Sequence, residues 1–103
     1  MSFDVQIDGG PRVIVSGELD MATSPELTSA IESLERTEAQ RVVLDLSGVT
    51  FIDSTALSAL CLAKAKLNDR RAVLVLGPVS RQVETVLRIC GLHREFIRET
   101  YSL

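Results

Sequence analysis

The chain has 103 residues, 46% of them apolar and 24% charged, with a net charge of −3. A folded chain of this size buries roughly 65% of the surface its unfolded form exposes. The composition therefore predicts one globular domain spanning residues 1–103, with no room for a large enclosed cavity. Arg70-Arg71 is the longest basic run. The clustered basic face and stacking aromatics of direct nucleic-acid binding are not visible. Residues 1–10 carry Asp4 and Asp8 and lack the basic start and apolar stretch of a secretory leader. Apolar runs such as Ala59–Ala63 fall far short of the ~20 residues that cross a bilayer. A cytoplasmic protein is expected, with Cys61 and Cys90 on inner helix faces as small buried thiols in a reducing compartment.

Phe3, Val5 and Ile7 alternate with polar residues, the pattern of a half-exposed strand. Asp8-Gly9-Gly10-Pro11 signals a turn, and Val13-Ile14-Val15 resumes an extended segment that closes on Gly17-Glu18-Leu19-Asp20. These pieces predict an antiparallel hairpin. Thr23-Ser24-Pro25-Glu26 then predicts a helix start, with Thr23 and Glu26 at capping-box spacing and Pro25 tolerated in the first turn. Leu27, Ala30, Ile31 and Leu34 place one apolar stripe on that helix. Arg41–Leu46 is almost continuously apolar, as a central strand should be.

A short loop follows and ends in Asp53-Ser54-Thr55, where a second helix begins and runs from about Ser54 to Leu67. Its stripe is Ala56, Leu60, Ala63 and Leu67, widened by Leu57, Cys61 and Leu62. Ala72–Leu76 reads as a fourth strand and Gly77-Pro78 as a turn. Ser80 is placed to cap a third helix carrying Val83, Val86, Leu87 and Cys90. Gly91-Leu92 has the form of a glycine stop with its apolar follower, and Phe96-Ile97 closes the pattern as a short edge strand. The order predicts an α/β fold with a mixed sheet of four to five strands and three main helices, the later strands reached by right-handed crossovers.

Enzyme chemistry lacks parts. His93 has no apparent nucleophile partner, the two cysteines have no metal-ligand companions, and no Gly-rich phosphate loop occurs. No catalytic residue, metal site or cofactor is expected. Glu18 and Asp20 read either as a solvated strand end, the commoner explanation, or as an acidic pair beside a site. Asp53-Ser54-Thr55 also has two readings. Such residues usually cap helices, and residue type alone favours that. A helix start also attracts negative charge, so a phosphate on Ser54 would be accommodated there. A cap needs one such residue, and three stand together.

Gly17-Glu18-Leu19-Asp20 followed by Phe51-Ile52-Asp53-Ser54-Thr55-Ala56-Leu57 resembles the anti-sigma factor antagonists of the STAS domain family. Leu87-Arg88-Ile89-Cys90-Gly91-Leu92 is similar to the family's third helix and its stop, so the likeness spans essentially the whole chain. The resemblance implies that Ser54 is the residue phosphorylated by an anti-sigma factor that is itself a serine kinase. It places Asp53 and Thr55 beside that acceptor, Glu18 and Asp20 in the docking surface, and Leu57 as an apolar contact on the helix face. From the residues themselves, the early exposed face with Leu57, Ser58 and Cys61 or Leu62 is one that could dock a partner helix. The unphosphorylated antagonist would bind the anti-sigma factor and free the sigma factor. A serine phosphatase acting on phospho-Ser54 would be a further partner. Two positions depart from the family pattern, Ala56 and Ser58 standing where glycine is usual; the methyl of Ala56 is expected where a partner approaches. The competing reading is a cytoplasmic accessory subunit of a membrane transporter. A small-molecule or nucleotide sensor has only the fold in its favour.

Overall fold

The computed structural model describes residues 3–8 and 10–99. Five strands and three helices follow one another as β1 (Asp4–Asp8), β2 (Arg12–Leu19), α1 (Ser24–Glu35), β3 (Arg41–Ile52), α2 (Ser54–Asp69), β4 (Val73–Val79), α3 (Arg81–Ile89) and β5 (Ile97–Arg98). The strands lie in one sheet in sequence order. β1 pairs antiparallel with β2, and every later pair is parallel. This is the mixed sheet with three helices that the apolar pattern predicts. Gly9 of the expected hairpin turn lies outside the described residues.

One apolar cluster joins the helices to one face of the sheet. Val13, Val15, Val42, Leu44, Leu46, Leu74 and Leu76 supply the strand side; Leu27, Ile31, Leu60, Leu67, Val83 and Leu87 come down from the three helices. Alternation along each strand puts the intervening residues on the opposite face. There Arg12 bridges to Glu99 at 3.0 Å and lies 3.8 Å from Asp45.

Two boundaries differ from the sequence reading, each for a packing reason, and one expected cap does not form. β3 does not stop at Leu46 but continues to Ile52, so the expected loop before α2 is strand. It carries an extra residue at two bulges, one opposite Ile14/Ser16 and one opposite Gly17/Glu18. The bulges upset simple alternation but still bury Val49 and Ile52. β4 likewise runs through Gly77-Pro78 to Val79, where a register shift against Leu44/Leu46 accommodates the proline. A side chain at Gly77 would press within 3.2 Å of Leu44 O and Glu99 Oε1, so the glycine serves close strand packing rather than a turn. Finally, the Thr23–Glu26 capping box does not form. Thr23 is the N-cap of α1, but its side chain does not cap the helix.

α3 behaves as expected at both ends. Ser80 Oγ accepts from Val83 N–H at 3.2 Å, and Gly91 adopts φ +72° so that Leu92 N–H reaches Leu87 O at 2.7 Å. Cys90 departs from the buried-thiol expectation. It lies at the C-cap of α3, beyond the last buried turn, and is exposed, while Cys61 is half-buried; both are free thiols.

Candidate functional site at the start of α2

β2 and β3 run parallel and end side by side, with Leu19 opposite Ile52 and Glu18 opposite Phe51. The β2–α1 loop and the first turn of α2 therefore emerge at one edge of the sheet. Asp53 N–H donates to Leu19 O at 3.2 Å and closes that edge.

Asp53, not Ser54, caps the helix. One carboxylate oxygen accepts from Ala56 N–H at 2.8 Å, and the other accepts from Met21 N–H in the β2–α1 loop at 3.2 Å. A single side chain thus satisfies one of the otherwise open donors of the helix start and ties down the neighbouring loop. Asp20 does similar work inside the loop, where its Oδ1 accepts from Ala22 N–H at 3.0 Å and Thr23 N–H at 3.1 Å. The Thr23 hydroxyl donates to Glu18 O at 2.8 Å and accepts from Asp20 N–H at 2.9 Å. That is why Thr23 has no hydroxyl left over for a capping box. The loop is held closed at each turn.

With Asp53 as the cap, Ser54 occupies the first helical position and is exposed, and among the described residues no protein group hydrogen-bonds its hydroxyl. Thr55 and Ser58 are exposed as well. Ser58 lies one turn beyond Ser54 and so shares its face of the helix. Glu18 is exposed at the end of β2. Ser54, Thr55, Ser58, Asp53, Asp20 and Glu18 thus come together at one edge, the two aspartates engaged by backbone N–H groups and the Glu18 carboxylate without a partner among the described residues.

Two expectations change here. Leu57 is only 5% exposed and belongs to the core, so its side chain does not stand on the outer helix face. Its spacing from Leu60 sets this: the two are one turn apart and belong with Ala56, Ala63 and Leu67 to the buried side of α2. Ala56 is fully buried, so the methyl that replaces the usual glycine points into the core and not toward a partner. The exposed apolar side chains of this edge are Met21 and Phe51, which the sequence reading did not single out as contacts. Phe51 entered that reading only as part of the family motif, and Met21 had no periodic context to mark it.

Among the described residues no three His, Cys, Asp or Glu side chains gather as a metal site, and no helix is long and apolar enough to cross a membrane.

Comparison with known proteins bears on this arrangement. The family model for the STAS domain matches residues 2–102. An anti-sigma-B factor antagonist of Listeria monocytogenes is 32% identical over 80 residues, covering 78% of this chain and 70% of that protein. Among solved structures, an anti-sigma factor antagonist from Mycobacterium paratuberculosis is 26% identical and superimposes with a TM-score of 0.74, covering 97% of this chain and 86% of its own. The anti-sigma factor antagonist SpoIIAA in its unphosphorylated form is 18% identical with a TM-score of 0.73, covering 96% of this chain and 89% of its own, and shares the fold. The chain belongs to the STAS domain family.

Proposed function

We propose that this chain is an anti-sigma factor antagonist: it binds an anti-sigma factor with serine kinase activity, releases the bound sigma factor, and is switched off when that kinase phosphorylates Ser54. The observation that carries the reading is the division of labour at the helix start. Asp53 takes the cap, so the Ser54 hydroxyl is left exposed and unengaged at the position where a helix best accepts negative charge. The similarity to proteins described as anti-sigma factor antagonists supports the same role.

The chain supplies an acceptor and a docking surface; ATP and Mg²⁺ belong to the kinase. Ser54 Oγ would attack the γ-phosphorus of ATP, ADP would leave, and the hydroxyl proton would pass to the kinase. The product carries about −1.5 to −2 additional charge. By position, the N–H groups of Ser54 and Thr55 have no intrahelical acceptor and can receive phosphate oxygens. The fold therefore has little reason to rearrange. What changes is the edge itself, where a dianion joins Asp53, Asp20 and Glu18 in a surface that a partner met as a neutral hydroxyl. A serine phosphatase acting on phospho-Ser54 would reset the switch.

The test uses the serine-kinase anti-sigma factor encoded in the same genome, with ATP and Mg²⁺, reading phosphate incorporation by mass spectrometry and affinity by calorimetry. Ser54→Ala should accept no phosphate and bind like the wild type. Ser54→Asp should bind more weakly, and Thr55→Ala should still be phosphorylated. Phosphate incorporated into Ser54→Ala at the wild-type rate would sink the reading. Equal binding by all three variants with no phosphorylation would favour the accessory subunit of a transporter.

A further inference from the structure

Leu57 is the apolar residue that the family resemblance offers as a partner contact, yet it is buried in the core, and the edge around Ser54 still carries exposed apolar surface. Met21 is 71% exposed and Phe51 is 50% exposed. We infer that Met21 and Phe51 are the apolar anchors of the docking surface, and that they fit an apolar pocket rimmed by arginine or lysine side chains on the anti-sigma factor. This deepens the proposed function and rests on it.

The two side chains are held where a partner would meet them. Met21 sits in a loop whose backbone is fastened on both sides: its own N–H is bound by Asp53, and the next turns by Asp20 and Thr23. Phe51 owes its exposure to the second β3 bulge. There Gly17 pairs with Val49 but Glu18 pairs with Phe51, so Thr50 is the extra residue. A bulge of this kind re-aims the side chain beside it. Phe51 is thereby exposed next to Glu18, and two residues on Asp53 binds Met21 N–H. Two large apolar groups on a pinned edge lose little backbone freedom on binding. Phe supplies a rigid face, and Met adapts to the shape it meets.

Charge selects the partner. Neither 18–25 nor 47–58, the segments that build this edge, contains a lysine or arginine, whereas both contain acids: Glu18, Asp20 and Asp53. Every charged side chain of these two segments is acidic. A matching surface is apolar at its centre and basic at its border, the usual plan of a protein interface with its hot spot enclosed by polar groups. Set against Glu18 and Asp20, that border leaves the Ser54 hydroxyl facing the close-fitting part of the partner, where a phosphate dianion would break the fit.

The experiment measures the affinity of the same-genome serine-kinase anti-sigma factor for wild type, Met21→Ala, Phe51→Ala and, as a control, Ile89→Ala. Ile89 is 79% exposed on α3, away from the edge. Since all three side chains are exposed, circular dichroism should show each variant folded. Met21→Ala and Phe51→Ala are each expected to weaken binding about tenfold or more, as hot-spot truncations do, while Ile89→Ala stays within about twofold. For phosphorylation of Ser54, the two edge variants should raise KM with little change in kcat, because they remove docking and not chemistry. Added salt should weaken the wild-type complex. Both edge variants binding within about twofold of wild type would overturn the inference and leave the Ser54 switch standing. A wild type that neither binds the kinase nor is phosphorylated by it would overturn both.

Discussion

Asp53 carries two obligations with one carboxylate: it caps α2 through Ala56 N–H and tethers the β2–α1 loop through Met21 N–H. Each donor is taken by its own oxygen of the carboxylate. Asp53→Ala removes cap and tether together and should cost about 1 kcal/mol of stability, the usual worth of an N-cap. Asp53→Asn keeps one carbonyl oxygen for the cap but turns an NH₂ group toward the other donor. It should therefore retain most of the stability while the Met21 amide exchanges with solvent faster, as it should in Asp53→Ala. Thermal unfolding and amide hydrogen exchange check this together. An unchanged Met21 exchange rate in both variants would show that the tether does not hold the loop.

At the scale of elements, the site depends on β3 running past Leu46. The continuation passes Gly48, where an added Cβ would lie 2.9 Å from Ser16 Cβ on β2 and 3.3 Å from Val15 O. Neither neighbour can swing aside, because one is a Cβ and the other is backbone, so the strands themselves must separate. Gly48→Ala should destabilise the protein by about 1–3 kcal/mol, the range of overpacking in a tight interior. The change should also disturb the β2 and β3 ends that present Glu18, Phe51 and Asp53. Denaturant unfolding gives the first effect, and backbone amide shifts clustered at residues 16–21 and 48–55 would give the second. A variant as stable as wild type, with shifts confined to position 48, would mean that the bulge has slack.

At the scale of the whole molecule, the last strand is fastened to the helical layer by charge. Arg98 Nη2 donates to Glu84 Oε1 at 2.6 Å, and Arg88 Nε stands 3.4 Å from the other oxygen, so α3 and β5 share one carboxylate. The hydrogen bond from Arg98 is the largest influence on Glu84, and with the nearby positive charges it outweighs burial and holds the pKa below its usual 4.5. The folded state therefore releases this proton more readily than the unfolded state. The pair's contribution is complete above the unfolded pKa and is lost as pH falls from about 4.5 through the lower folded value. Because the carboxylate is partly exposed, the effect should be modest. Glu84→Gln should lower stability at neutral pH and show a shallower loss as pH falls below about 4.5 in chemical denaturation. Parallel pH profiles for wild type and variant would remove Glu84 as a source of acid sensitivity.

Much of this fold was legible in the apolar pattern. Alternation marked β1, bare β-branched runs marked the central strands, and helical spacing with Ser80 and Gly91 located α3 to its ends, because those signals are local. The cluster Asp53-Ser54-Thr55 was also visible, and the neighbourhood of Glu18 and Asp20 came with the family resemblance. Sequence alone left open which residue capped the helix. That answer came from the tertiary structure, because the second oxygen of Asp53 is claimed by Met21, thirty-two positions away along the chain. The extension of β3 was likewise decided by pairing with β2, whose residues offer partners that a local reading of Ser47-Gly48-Val49-Thr50 does not reveal. The same register buries Leu57 and Ala56 and exposes Phe51. Local chemistry determined which groups could act; the meeting of two strand ends distant in sequence decided which of them face outward.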